Sequence, residues 1–371
     1  MENAEYMQAA LDLAAKGIGA VEPNPAVGCI IVKDNTIIGS GYHEHFGGPH
    51  AEINALADCR KNAADPAGAT MFVTLEPCCH VGKTGPCTEA LIAARIARVV
   101  IAAADPFHEV AGKGIGRLRE AGIAVELGLC AEQARLLNAP FYKYATTQRP
   151  WVIAKWAQSA DAFLSSQTHR WISCPASRRD VHDLRRRCQA ILVGVQTAVA
   201  DDPLLTVRVP DLQWKRQPLR IILDSNLRIT DDRKVLDTSE AKTLIVITGS
   251  TLRRHARRVA ELAARGVEIL AVPERKGRCD AERLLIELGR RGIEQLLVEG
   301  GPTVLTDFLR RDLVDEVRIY LAPAELSRQG VVKATVPMKQ IVACPQRLIN
   351  AQIKDLDCDR CIAGLLHEPP Q

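Results

Sequence analysis

A chain of 371 residues is too long for one compact core, so two domains are expected, and 47% hydrophobic with 25% charged residues describes ordinary globular material rather than a disordered chain. A net charge of +4 suits small anionic ligands and is too slight to imply nucleic acid, while aromatics at 4% offer few stacking platforms for a single strand. Glu2 and Glu5 precede any basic residue and no apolar run approaches a membrane span, so the 12 cysteines are expected in a reducing cytoplasm, serving metals or catalysis before disulfides.

Met7, Ala10, Leu11 and Ala14 recur at helical spacing and predict an opening amphipathic helix, which Pro23-Asn24-Pro25 ends. Val27 to Val32 reads as a buried strand, Asp34-Asn35 as its turn and Ile37 to Tyr42 as a second strand, together a hairpin. After Gly47-Gly48-Pro49, Ala51 to Arg60 reads as a helix with His50 and Glu52 at its first turn. Ala69 to Thr74 is a third strand delivering Pro77-Cys78, Thr88 to Ala97 a helix, and Val99 to Ala104 a fourth strand. A sheet flanked by helices binds ligands where strand ends meet helix starts.

That meeting point carries His50 and Glu52 on one segment and Cys78 and Cys87 on another. One imidazole and two thiolates suit a tetrahedral zinc whose fourth position is left to water. Such a site lowers the pKa of its water toward ~7, and Glu52 is placed to carry protons between that water and a substrate. Zinc deaminases acting on bases pair H-x-E with P-C-x-x-C. Here the first half fits, but Cys87 lies nine residues beyond Cys78. Cys78 and Cys79 are adjacent and do not suit one ion, so Cys79 is read as wall. A closed structural zinc site with Cys79 or His80 as fourth ligand is the alternative, in which Glu52 has no role. Lys83, His43 and His45 are candidates for a substrate phosphate, or else solvated loop residues.

Periodicity stops around Thr146-Thr147-Gln148-Arg149-Pro150, which sets a domain boundary between 1–148 and 149–371. Beyond Trp151-Val152-Ile153, strands are expected at Ala190 to Val193, Leu219 to Leu223, Leu244 to Thr248, Val267 to Val272, Leu296 to Glu299 and Val317 to Leu321. Helices are expected at Arg178 to Arg186, Arg253 to Ala264, Ala281 to Arg290 and Thr303 to Arg311. This alternation predicts an α/β domain with a mainly parallel sheet. Glu299-Gly300-Gly301-Pro302-Thr303, between strand and helix, offers bare amides and a helix N-terminus to a phosphate, or is only a tight turn. Cys358-Asp359-Arg360-Cys361 is a lone C-x-x-C, read as a strand edge or tail.

Three strings carry a resemblance: Pro23-Asn24-Pro25-Ala26-Val27-Gly28-Cys29, Pro49-His50-Ala51-Glu52, and Thr74-Leu75-Glu76-Pro77-Cys78-Cys79-His80-Val81-Gly82-Lys83-Thr84-Gly85-Pro86-Cys87. With Ala200-Asp201-Asp202-Pro203-Leu204-Leu205-Thr206-Val207-Arg208, Asp224-Ser225 and Leu313-Val314-Asp315-Glu316, the chain resembles the bacterial bifunctional riboflavin-biosynthesis deaminase/reductases over nearly its whole length. The resemblance implies an α/β protein with a cytidine-deaminase-like domain followed by a dihydrofolate-reductase-like one. It implies zinc-dependent deamination of 2,5-diamino-6-(5-phosphoribosylamino)pyrimidin-4-one, then NADPH reduction of the ribosyl to a ribityl chain. By it, His50, Cys78 and Cys87 hold zinc, Glu52 shuttles protons and Asn24 hydrogen-bonds the pyrimidine. Thr197, Asp201, Ser225 and Gly301 lie on NADPH. Arg185, Leu205, Arg208 and Glu299 lie on the substrate, with Lys155 near its sugar chain. The substrate is a small phosphoribosyl-aminopyrimidine, a homo-oligomer is expected, and neither nucleic acid nor membrane is a partner.

Departures fall mostly in the second half. The family's Ser-Leu-Asp-Gly is Ser159-Ala160-Asp161-Ala162 here, Gln167-Thr168-His169-Arg170 replaces a Gly-x-Ser-x stretch before Trp171, and Ser327-Arg328 stands where glycines are usual. In the first half Gly85 replaces a proline, which loosens a turn and removes no ligand. Alanine at a positive-φ position costs roughly 1 kcal/mol or forces a different loop. Retained Lys155, Asp201, Arg208, Glu299 and Gly300-Gly301 predict a working NADPH-dependent reductase. A deaminase with a vestigial second domain, a nucleic-acid-editing deaminase and a non-catalytic zinc-stabilised binding protein are the other readings.

Overall fold

Gly28-Cys29-Ile30-Ile31-Val32 is apolar on both faces, and the chain buries it as an inner strand of the first of its two units. The computed structural model describes residues 2–79, 85–107, 111–208 and 216–370. The units are Met1–Gln148 with Pro369–Gln371, and Arg149–Glu368. Among the described residues no helix is long and apolar enough to cross a membrane.

The first unit runs α1 (Asn3–Ala15), β1 (Gly28–Lys33), β2 (Thr36–Tyr42), α2 (Ala51–Lys61), β3 (Thr70–Leu75), α3 (Cys87–Ala93), β4 (Arg98–Ala103), α4 (Lys113–Glu120), β5 (Ala124–Leu127), α5 (Ala131–Leu137) and α6 (Ala139–Thr147). Its sheet has the order β2-β1-β3-β4-β5, antiparallel across β2-β1-β3 and parallel across β3-β4-β5. Because neighbouring side chains of a strand point to opposite faces, Cys29 and Ile31 pack with Ala55, Leu56, Leu91 and Leu118, while Ile30 and Val32 pack with Met7, Leu11, Phe141 and Tyr142. Each fully buried Leu, Ile or Phe here contributes about 1.5–3 kcal/mol. Helix α3 stops at Ala93, short of the expected Ala97, because Arg95 takes a left-handed backbone (φ 54°).

Two close approaches position the first unit's site. Helix α2 lies on β2 because Gly41 has no side chain: a Cβ there would sit 2.6 Å from the Ala51 carbonyl oxygen. At the end of β3 the buried Glu76 carboxylate accepts the Gly112 and Ile115 N–H groups at 3.0 and 3.1 Å, capping α4 from outside. This fixes the chain just before Pro77-Cys78.

The second unit contains β6 (Trp151–Gln158), α7 (Pro175–Arg187), β7 (Ala190–Gly194), α8 (Val195–Asp201), β8 (Leu219–Leu223), β9 (Thr243–Thr248), α9 (Gly249–Arg254), α10 (Ala256–Ala264), β10 (Glu268–Val272), β11 (Glu274–Arg275), β12 (Arg278–Cys279), α11 (Ala281–Arg290), β13 (Gln295–Val298), α12 (Pro302–Arg310), β14 (Glu316–Leu321), α13 (Val336–Ala343), β15 (Ile349–Leu356) and β16 (Asp359–Leu365). The sheet order is β10-β9-β8-β7-β13-β6-β14-β16-β15, parallel from β10 through β14 and antiparallel at β16 and β15. Leu284, Leu285 and Leu288 of α11, Leu305 and Phe308 of α12 and Met338 of α13 cover one face. The helix expected from Arg253 to Ala264 is two helices, broken at His255.

The departing residues Ala162 and Ser327 both sit in left-handed backbone, at φ 65° and 43°. Asp161 ties their loops together, accepting the Ser159 hydroxyl at 2.6 Å and the Leu326 and Ser327 N–H groups at 3.0 and 2.7 Å. The loop therefore keeps the conformation a glycine would favour and carries the strain of an alanine in it. Ala162→Gly is expected to stabilise this unit by about 0.5–1 kcal/mol, read as a higher denaturation midpoint. An unchanged or lower midpoint would show the backbone there to be relaxed.

Candidate functional site

His50 is the N-cap residue of α2, in extended backbone, and Glu52 lies in that helix's first turn. The Nδ1 of His50 is 3.3 Å from the Cys87 sulfur and 3.5 Å from the Cys78 sulfur, and the Cys87 N–H donates to Cys78 Sγ at 3.4 Å. All three ligand atoms lie within 4.8 Å of one another. Zinc bonds of about 2.0–2.3 Å to nitrogen and sulfur suit such a cluster, and three protein ligands leave one position open. The donor set therefore fits zinc. Among the described residues the cluster contains neither Cys79 nor Glu52, and His80 and Lys83 lie outside the described residues.

The electrostatics agree with that chemistry. Hydrogen bonding from Cys87, and then from His50, pulls the Cys78 thiol down to about 4 against the opposing effect of burial, while the same bond and burial push Cys87 up. Both sulfurs would bind a cation as thiolates, so binding releases their protons. Glu52 is 3% exposed, and burial followed by the Cys78 charge raises its carboxyl to about 6. It is a carboxylate that can both take and return a proton.

Asn24 and His43 stand beside this cluster. His43 Nδ1 donates to the Pro49 carbonyl at 2.9 Å, so its Nε2 is the acceptor for the Asn24 side-chain amide at 3.1 Å. The His43 ring is 5.4 Å from that of His50, edge to face, and buried. With both ring nitrogens engaged, His43 is not a phosphate contact; it orients Asn24, whose carbonyl oxygen and second amide hydrogen are left for a ligand. His45 is exposed. Asn138 was absent from the sequence reading: buried in the other face, it holds Ala26 through paired bonds of 2.8 and 2.9 Å and so fixes the loop that carries Asn24. A lone asparagine 112 positions away carries no signal of this in the sequence.

In the second unit, Lys155, Arg185 and Glu299 converge. Arg185 donates to both Glu299 oxygens at 2.6 and 3.0 Å, and Lys155 Nζ is 3.6 Å from Glu299 Oε2. Thr206 links this group to Arg208, its carbonyl accepting from Arg185 at 3.1 Å and its hydroxyl from Arg208 at 2.8 Å. Burial pushes Glu299 up, but Arg185 and Lys155 outweigh it and hold the carboxyl at about 2. His182, missed in the sequence, accepts the Arg208 N–H at 3.1 Å and is held down to about 4 by burial and then by Arg185 and Arg208. Leu205 is buried with a left-handed backbone (φ 52°), so it offers a ligand its main chain rather than its side chain.

Thr197 follows β7, Ser225 follows β8 and Gly301 follows β13, all at C-terminal ends of parallel strands. The Thr197 hydroxyl accepts the Gly301 N–H at 3.1 Å, at the N-terminus of α12. Asp201, exposed, is four residues beyond Thr197 on α8 and so shares its face. The Ser225 hydroxyl is engaged with Cys279, accepting its N–H at 3.0 Å, and has no bond to the Thr197–Gly301 pair. A helix start beside the C-terminal ends of parallel strands is the ordinary dinucleotide-binding setting, and these residues fit a nucleotide cofactor.

Residues 150–359 match the family model described as the RibD C-terminal domain, and residues 1–103 match that of the cytidine and deoxycytidylate deaminase zinc-binding region. The chain is 44% identical to the riboflavin biosynthesis protein RibD of Aquifex aeolicus, over 86% of each chain. It is 38% identical to the RibD of Escherichia coli, over 98% of this chain and 99% of that one. Among solved structures it is similar to Acinetobacter baumannii RibD, with a TM-score of 0.80 at 35% identity over 98% of both chains. A Thermotoga maritima diaminohydroxyphosphoribosylaminopyrimidine deaminase/5-amino-6-(5-phosphoribosylamino)uracil reductase matches with a TM-score of 0.81 at 32% identity over 97% of both.

Proposed function

The chain belongs to the RibD family of bifunctional riboflavin-biosynthesis deaminase/reductases, and from that premise we propose that residues 1–148 perform the deamination and residues 149–371 the reduction. The enzyme uses Zn2+ and NADPH. The observation that carries the division of labour is the convergence of His50, Cys78 and Cys87 beside the buried Glu52, all in one unit.

His50, Cys78 and Cys87 would hold the zinc, which when bound supplies the Lewis acidity that makes water a nucleophile at neutral pH. Asn24, held by His43, grips the pyrimidine edge. Glu52 takes a proton from the attacking water and returns one to the departing amino group, which leaves as ammonia. In the second unit the N-terminus of α12, which Gly301 caps, and the Thr197 face would hold the NADPH phosphates, and NADPH supplies the hydride. Arg185 and Arg208 are the cations for the substrate phosphate, and Lys155 and Glu299 hold its sugar hydroxyls. The cytoplasmic location and homo-oligomeric state expected from the sequence belong to this reading, and fractionation and sedimentation test them.

The division itself is tested by removing one ligand of the first unit's cluster from the full chain. Cys78→Ser is expected to lose ammonia release from the diaminopyrimidine together with one zinc, and to leave NADPH oxidation with pre-deaminated substrate unchanged. Parallel loss of both activities would refute it.

A further inference from the structure

The C-x-x-C string near the end of the chain divides between two environments. Cys361 lies within β16, buried with Val181, Tyr320 and Leu356. Cys358 lies in the turn between β15 and β16, exposed, and its sulfur is within 4.8 Å of both the Cys174 sulfur and a carboxylate oxygen of Asp359. Cys174 comes from 184 residues earlier, a distance no sequence pattern bridges.

Cys174 is the N-cap residue of α7, where its sulfur accepts the Ser177 N–H at 3.5 Å. Serine, threonine, aspartate and asparagine are the effective residues at that position, and a thiol is a weak acceptor. The Cys174 thiol also donates to the Leu356 carbonyl at the end of β15, at 3.1 Å, so capping is not its whole role and it already faces the β15–β16 turn. Asp359, 2% exposed, accepts the Cys174 N–H at 2.7 Å and the Ser177 hydroxyl at 2.6 Å, both on Oδ2. Its Oδ1 faces the Cys358 thiol at 3.7 Å. Outer hydrogen bonds of this kind orient a carboxylate that ligates a metal. The start of a helix also favours anionic ligands.

We propose that Cys174, Cys358 and Asp359 form a second metal site, for a soft or borderline divalent cation of the zinc class. Two sulfurs and one oriented oxygen, Oδ1, are the ligands, and the exposed side at Cys358 leaves a further position to solvent. Two thiols exclude magnesium and calcium, which take oxygen ligands. Each thiol releases its proton to solvent as the ion binds, and no oxidation is involved. The ion ties the β15–β16 turn to the start of α7, the helix that carries Arg185.

The full chain, saturated with zinc under a non-thiol reductant and freed of unbound metal, is expected to retain two zinc ions per chain by elemental mass spectrometry. Cys358→Ser, an exposed change, is expected to retain one and to deaminate like the wild type. Cys78→Ser also loses one, at the other cluster, and the double variant loses both. Equal zinc in wild type and Cys358→Ser, whether one ion or two, would overturn the proposal. So would a Cys174–Cys358 disulfide forming without reductant in a protein that takes up no second zinc with it.

Discussion

Deamination by the Glu52→Gln protein is expected to fall ~10²-fold or more, with zinc content and NADPH-dependent reduction at wild-type levels. Glutamine preserves the size of the side chain and can still accept or donate a hydrogen bond, but it has no proton to exchange. Glu52 is not in the ligand cluster, so the metal should survive its replacement. Because the side chain is buried in the first turn of α2, on the segment that begins with His50, no neighbouring carboxylate can take over from solvent. Ammonia release measured beside elemental analysis separates the two possible failures. Activity within a few-fold of wild type would remove Glu52 from the mechanism, and lost zinc would make it a structural residue instead.

The deaminase site was legible because its chemistry is local: a histidine with a glutamate two residues on, and two cysteines in one loop. The strands of the second unit were legible because parallel strands buried on both faces read as apolar runs, as Ala190–Gly194 and Thr243–Thr248 do. The closing hairpin was not. Ile349, Ala351 and Ile353 do alternate with polar residues, but the run is short and most of β15 is exposed, so little burial stands behind the pattern. Residues 105–146 went unread for a similar reason: α4 and α5 are short and bury few residues each. His43 was misjudged because a histidine in a loop looks the same whether it faces a ligand or supports one. Its burial and its Pro49 bond settle which. Ala162 does take the positive φ expected of a glycine position, and two of the Asp161 bonds that hold the loop come from Leu326 and Ser327, about 165 residues away.

Glu299→Gln is expected to lower kcat/KM for the reduction roughly 10²-fold while deamination continues. The carboxylate is 8% exposed and stands between Arg185 and Lys155, so replacing it leaves two cations facing each other out of water. Breaking one partner of a buried ion cluster costs about 3–5 kcal/mol, and the second unit should lose stability by that order. The sign of the pH dependence follows from the carboxyl held at about 2, below its unfolded value of about 4.3. Its stabilising contribution is full above the unfolded value and is lost as pH falls toward about 2, so the wild-type unit should weaken over that window and the Gln variant should not. A variant that is merely misfolded is distinguished by adding Lys155→Met, which removes one stranded cation. The double variant is expected to regain stability without regaining reduction. NADPH oxidation with pre-deaminated substrate, followed beside a denaturant titration, reads both. Reduction within a few-fold of wild type in Glu299→Gln would take the substrate away from this cluster and leave Glu299 as a brace between Arg185 and Lys155.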